Sequence, residues 1–157
     1  MILYHGTNKD FGRIDFAHSL RFKDFGKGFY LTDIKTQAVE MAQRKVRIDG
    51  GVPVVQKYEF DPNVLTEGLL SVLRFENPSA EWAEFIFKNR NRRIQFSHDY
   101  DVVFGPVADD GVAYLLNLYE DGLRTLDELA RELRYKRLNN QYCFSSEKSI
   151  QFLRRIP

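Results

Sequence analysis

The chain has 157 residues, 43% of them apolar and 14% aromatic, with 23 basic and 22 acidic side chains for a net charge of +1. Such a composition excludes a disordered chain, the length fits one domain spanning 1–157, and the charge balance excludes attraction of the whole molecule to nucleic acid or an anionic membrane. The single cysteine, Cys143, excludes an intramolecular disulfide; with no signal-peptide pattern and no apolar run near the ~20 residues of a membrane span, the expectation is a cytoplasmic protein with no membrane partner.

Residues 1–5 read as a buried strand, followed by a long polar connection over 8–27 and a second strand over 28–32. Thr32 or Asp33 is the expected cap of a helix in which Ile34, Ala38, Met41, Ala42 and Val46 recur at helical spacing until Gly50-Gly51 ends it. Strands are expected over 54–61 and 69–75, and Asn77-Pro78 announces a helix with Trp82, Phe85 and Ile86 as its apolar stripe. Next come a strand over 100–105, a turn holding Asp109 and Asp110, and a short helix over 112–119. Thr125 with Glu128 forms a capping box for a helix over 126–136, and the chain closes with a strand over 141–144 and a helix over 146–154. Strands and helices mix without regular βαβ alternation, which predicts an α+β fold.

Candidate chemistry concentrates at the first two strands. Tyr4-His5-Gly6-Thr7 puts a histidine beside a glycine, and a glycine admits a ligand close to the backbone. Tyr30 follows Gly26-Lys27-Gly28, a pair of glycines lacking the third glycine and the following helix of a Rossmann fingerprint. Cleaving a nicotinamide glycosidic bond needs backbone groups for the carboxamide, an aromatic face for the ring and polar side chains on the ribose. His5, Gly6, Thr7 and Tyr30 supply these. The bland readings are a satisfied polar histidine, core aromatics at Phe29 and Tyr30, a hairpin turn at 26–28, a turn or helix cap at Asp109-Asp110, an edge residue at Gln141, and dipole-offsetting cations at Arg90, Arg92 and Arg93. Cys143 reads as a buried apolar residue, and His5, His18 and His98 lie at spacings with no metal signature.

Taken together, Tyr4 to Thr7, Asp24 to Thr32 with Gln37-Ala38, Glu81-Trp82 with Phe85 and Asn89-Arg90, Tyr100 to Asp110, and Asn140 to Phe144 resemble a bacterial family of unknown-function domains within the ADP-ribosyltransferase superfamily. The resemblance covers nearly the whole chain. It implies an ADP-ribosyltransferase-like split β-sheet core with flanking helices, and NAD as co-substrate. By the same resemblance His5 binds the adenosine-side ribose, Tyr30 stacks on nicotinamide, and Gln141 stands where the pattern has a glutamate. A glutamine amide can hydrogen-bond a ribose hydroxyl but brings neither negative charge nor a base. Gly6, Thr7, Phe25 and Gly28 complete the expected NAD site. Asp109 or Asp110 is an expected accessory carboxylate, and Arg90 an expected contact for the diphosphate or the acceptor.

The function so implied is mono-ADP-ribosylation of a protein or nucleic-acid acceptor, as a toxin or defence effector held in check by a small antitoxin-like protein. Two alternatives stay open: an NAD glycohydrolase, and a module that binds NAD or ADP-ribose without catalysis. A basic surface of Arg90, Arg92, Arg93, Arg131, Arg134, Lys136 and Arg137 is the alternative expectation of a nucleic-acid binder.

Overall fold

A computed structural model describes every residue except Tyr135 and Arg137. Its elements in chain order are β1 (Ile2–Thr7), β2 (Phe29–Leu31), α1 (Lys35–Asp49), β3 (Val54–Glu59), β4 (Val72–Arg74), α2 (Ala80–Arg90), β5 (Val102–Pro106), α3 (Asp110–Glu120), α4 (Leu126–Leu133), β6 (Asn140–Phe144), α5 (Glu147–Ile150) and β7 (Arg154–Ile156). The fold is α+β, built on a three-stranded sheet ordered β1-β3-β7 and a four-stranded sheet ordered β2-β6-β5-β4. All pairings are antiparallel except β4 with β5, whose connection runs through α2.

Among the described residues one backbone bridge joins the two sheets. Tyr4 N–H donates to Thr32 O at 2.7 Å and Thr32 N–H to Tyr4 O at 2.9 Å, an isolated antiparallel bridge. Leu3, Leu31, Tyr58, Phe60, Val102, Tyr142 and Phe144 form one core cluster, drawn from both sheets. Strand alternation turns Val103 and Cys143 to the opposite face, where Trp82, Ile86, Val112, Leu116, Leu129 and Leu133 of α2, α3 and α4 cover them. Helix α1 lies against β1. A Cβ at Gly6 would stand 2.0 Å from Ala38 O and 2.9 Å from Ala42 N, so the glycine is required by the helix backbone packed on it.

Several local features differ from the sequence expectation. Helix α1 begins at Lys35 behind Ile34, which caps without a side-chain bond; Thr32 Oγ1 instead accepts from Ile34 N–H at 3.1 Å. Ser79, not Asn77, caps α2 through Trp82 N–H. The Thr125–Glu128 capping box holds, but α4 is described only to Leu133; the expected extension to 136 crosses Tyr135, outside the described residues. The C-terminal helix is cut to Glu147–Ile150; residues 151–153 leave it as a turn, and β7 begins at Arg154, where the helix was expected to end. Ser146 supplies the expected start, but Arg154 and Arg155 reach Glu59 and Asp10 from a strand paired with β3, and that tertiary pairing overrides the helical spacing.

The connection over 8–27 contains one short 3-10 turn, Phe16–His18, capped by Asp15. It is pinned at both ends. Buried Gln56 of β3 donates to Asp10 Oδ1 at 2.8 Å and Phe11 O at 2.9 Å, while accepting from Tyr58 at 2.8 Å. Asp24 holds Arg90 of α2 through Nε and Nη2, each at 2.6 Å.

Candidate functional site

A cavity of about 1280 Å³ opens beside the bridge between the sheets, above the ~300–1,000 Å³ typical of small-ligand sites. The strand face of β1, the connection over 8–27, β2, one face of α1, and Gln141 of β6 all line it. Of the expected residues, His5, Gly6, Thr7, Gly28, Tyr30, Gln141 and Arg90 lie on its wall.

His5 projects toward the side of β1 that carries Leu3 and stacks on Phe29, ring centroids 4.3 Å apart, with Phe11 at 5.8 Å. Its Nδ1 lies 2.7 Å from Tyr30 O. A carbonyl only accepts, so Nδ1 carries the hydrogen and Nε2 keeps a lone pair for a ligand hydroxyl. Burial, helped by the charges of Lys45 and Lys23 and opposed by the bond to Tyr30, pushes the imidazole from its ordinary 6.5 down to about 3. The ring is therefore a neutral acceptor at physiological pH.

Gly6 contributes backbone. Because Tyr4 directs its N–H and C=O across the seam to Thr32, the period of two turns those of Gly6 to the same edge, beyond the bridge and next to the cavity. One amide donor and one carbonyl acceptor on a free strand edge suit a carboxamide. Gly6 thus faces two ways, its missing Cβ toward α1 and its peptide groups toward the seam.

Tyr30 is fixed as a wall. Its hydroxyl accepts from Phe25 N–H at 3.0 Å and donates to Gly26 O at 2.5 Å, which uses up the polar end and leaves the ring for packing. Burial, then the neighbouring Cys143, raises the phenol well above its usual range. Lys23 Nζ stands 5.3 Å from the ring centroid, so a cation already rests against this aromatic face.

Gln141, opposite Gly105 in the β5–β6 pairing, has its Nε2 buried with no hydrogen-bond partner among the described residues. A buried amide donor without an acceptor costs roughly 1–3 kcal/mol until something accepts from it. Both the amide and the cavity wall meet at this residue.

Other expectations are corrected. Phe25 is fully buried in the cluster under α2 and does not line the cavity; its ring packs with Phe75 and Phe85. Phe29, on the opposite face of β2 from Tyr30, also lines it. Asp109 caps α3 through Val112 N–H at 2.8 Å and Asp110 opens that helix; neither reaches the cavity. Arg90 lines the cavity but is engaged by Asp24, so its first duty is to hold the connection. Gly28 is required by close packing, since a Cβ there would meet Cys143 Sγ at 2.4 Å. Cys143 is buried and its thiol is pushed up to about 11 by burial, which removes it as a nucleophile.

Sequence reasoning missed Lys23, Met41 and Lys45. On α1, Gln37, Met41 and Lys45 follow at intervals of four and line the cavity, one stripe round from the buried Ala38 and Ala42. Met41, on the expected apolar stripe, is 40% exposed. Burial and the Lys23 charge lower the Lys45 pKa, and neither lysine has a carboxylate within salt-bridge distance among the described residues. Two unpaired cations in one cavity favour an anionic ligand.

A family model described as "Protein of unknown function (DUF3990)" matches residues 1–154. No curated protein and no solved structure matches the chain. No helix among the described residues is long and apolar enough to cross a membrane.

Proposed function

This chain belongs to the DUF3990 family, and we propose that it is an NAD-dependent mono-ADP-ribosyltransferase, similar in plan to the ADP-ribosyltransferase superfamily. The observation that carries the reading is the convergence of His5, Gly6, Tyr30 and Gln141 on one cavity, with a lone pair, a free backbone edge, an aromatic face and an orphaned amide donor. Three separated stretches of sequence supply them.

Each group has work to do in that reading. NAD supplies an activated glycosidic bond whose cleavage passes through an oxocarbenium-like state. Gly6 N–H and C=O hold the carboxamide, and the pyridinium takes the place on the Tyr30 ring where Lys23 now rests. His5 Nε2 accepts from a ribose hydroxyl. Lys23 and Lys45 meet the diphosphate, and the Gln141 amide fixes the second ribose. Gln141 adds no charge to the developing cation, so positioning carries the rate and transfer of a single unit suits the site better than chain elongation. A role as toxin or defence effector, restrained by a small partner protein, follows from the superfamily resemblance alone.

Calorimetry with NAD is the test. The parent chain should give heat, and Tyr30→Ala, which removes a stacking face worth about 1–3 kcal/mol, should weaken binding roughly ten- to hundredfold. With adenine-labelled NAD, label on macromolecules indicates transfer, free ADP-ribose indicates glycohydrolysis, and binding with neither indicates a binding module. No heat with the parent chain ends the reading.

A further inference from the structure

Beside the main cavity lies a second one of about 460 Å³, and Phe22 and Glu147 line both. Its wall sets rings among cations: Phe16, Phe22 and Phe96 with Arg21 and Lys27, and Glu147 as its carboxylate. Arg21 and Arg92 stand 5.3 Å and 4.6 Å from the centre of the Phe22 ring, and Lys88 5.8 Å from that of Phe96. Among the described residues neither arginine has a carboxylate within salt-bridge distance. Two like charges are thus gathered round one ring with no carboxylate in direct contact with either among the described residues.

The backbone is strained in the same place. Phe22 has φ 63° and Gln95 φ 49°, the two positive values outside glycine among the described residues. Arg21 Nη2 joins them by donating to Gln95 Oε1 at 3.2 Å. Solvated surface charge explains exposed arginines, but not a left-handed phenylalanine whose ring is held among guanidiniums. Strain of this kind collects at ligand sites.

Flat rings interleaved with unpaired cations suit a strand with planar bases and a phosphate at every step. An acidic peptide would use the charges and leave the rings unmatched. A duplex keeps its bases stacked inside, so none could enter a recess of this size. We infer that the second cavity binds single-stranded nucleic acid and delivers it, across the partition of Phe22 and Glu147, as the acceptor of ADP-ribose. This rests on the reading above. In the transfer, a nitrogen or oxygen of the strand forms a bond to C1′ of the nicotinamide-side ribose while the C1′–N bond breaks. Nicotinamide leaves with the bonding pair, and the proton of the attacking group passes to solvent.

Fluorescence anisotropy of a labelled mixed-sequence DNA 12-mer with the full chain, without NAD, tests the site. Binding should weaken with salt, at a slope of about −2 in log K against log salt if Arg21, Lys27 and Arg92 each meet a phosphate. The variant Arg21→Glu/Arg92→Glu should bind at least about tenfold more weakly, and Lys27→Glu, in the exposed turn, gives an independent second variant. NAD calorimetry should be unchanged in both, since none of the three residues lines the main cavity. Mass spectrometry should find ADP-ribose on the oligonucleotide after incubation with NAD. The inference is overturned by absent binding at low salt, by equal binding in both variants, by tighter binding of polyglutamate or duplex, or by an unmodified oligonucleotide in a chain that labels protein. If the parent chain gives no heat with NAD while the 12-mer still binds as expected, the transferase reading fails and the strand site stands.

Discussion

Lowering the pH from about 7 to about 5 should destabilise this protein through His5 by about 2 kcal/mol. The imidazole titrates near 6.5 in the unfolded chain and at about 3 in the folded one. A base whose folded pKa is depressed is neutral in the native state, so the unfolded chain binds the extra proton first and stability rises with pH. The contribution is complete above the unfolded value and is lost as pH falls from about 6.5 toward about 3. At about pH 5 the unfolded histidine is nearly all protonated and the folded one nearly all neutral, which gives RT ln of about 30, or ~2 kcal/mol. Urea denaturation of the parent and of His5→Gln at the two pH values isolates the effect, because other titrating groups cancel in the difference. The parent should lose about 2 kcal/mol more than the variant. Equal losses would mean that His5 is not held neutral by its surroundings, and its assignment as a fixed acceptor would fall with that.

Two further substitutions probe the neighbouring residues. Gly6→Ala places a methyl 2.0 Å from Ala38 O and 2.9 Å from Ala42 N, both helix backbone, so α1 must move away from β1; urea denaturation should show a loss of about 3 kcal/mol or more, and a loss under about 1 would contradict the packing described. Gln141→Glu restores a carboxylate beside the proposed oxocarbenium; nicotinamide release, followed by chromatography, should accelerate about tenfold for ~1.4 kcal/mol of added transition-state stabilisation, and an unchanged rate would separate Gln141 from the reacting ribose.

Much of this was readable because the elements that hold the candidate site are local. The Val54 strand, the helix stripe ending at Gly50, and the Thr125–Glu128 box each need nothing beyond their own residues. The cap reading of Asp109 was the sounder one for the same reason: an aspartate three residues ahead of an unpaired N–H already has a partner. What escaped was set by distant partners. Strand β7 forms by pairing with β3, where Arg154 and Arg155 also meet Glu59 and Asp10, 95 and 145 residues away, a separation no local period encodes. Phe25 left the expected site because its backbone N–H serves Tyr30 while its ring turns into the helix layer. Lys23 and Lys45 became neighbours only when the long connection folded back over α1.

The seam between the sheets has a consequence for how copies of this chain meet one another. Past the Tyr4–Thr32 bridge, the edge of β1 carries peptide groups with no sheet neighbour, the kind of template along which a foreign strand can zip. Here that edge lies inside a cleft whose other wall is the segment over 8–27, anchored by Gln56 at its start and Arg90 at its end. The segment therefore shields that edge as well as walling the cavity: releasing it from the Asp24–Arg90 contact would leave the edge open to a foreign strand.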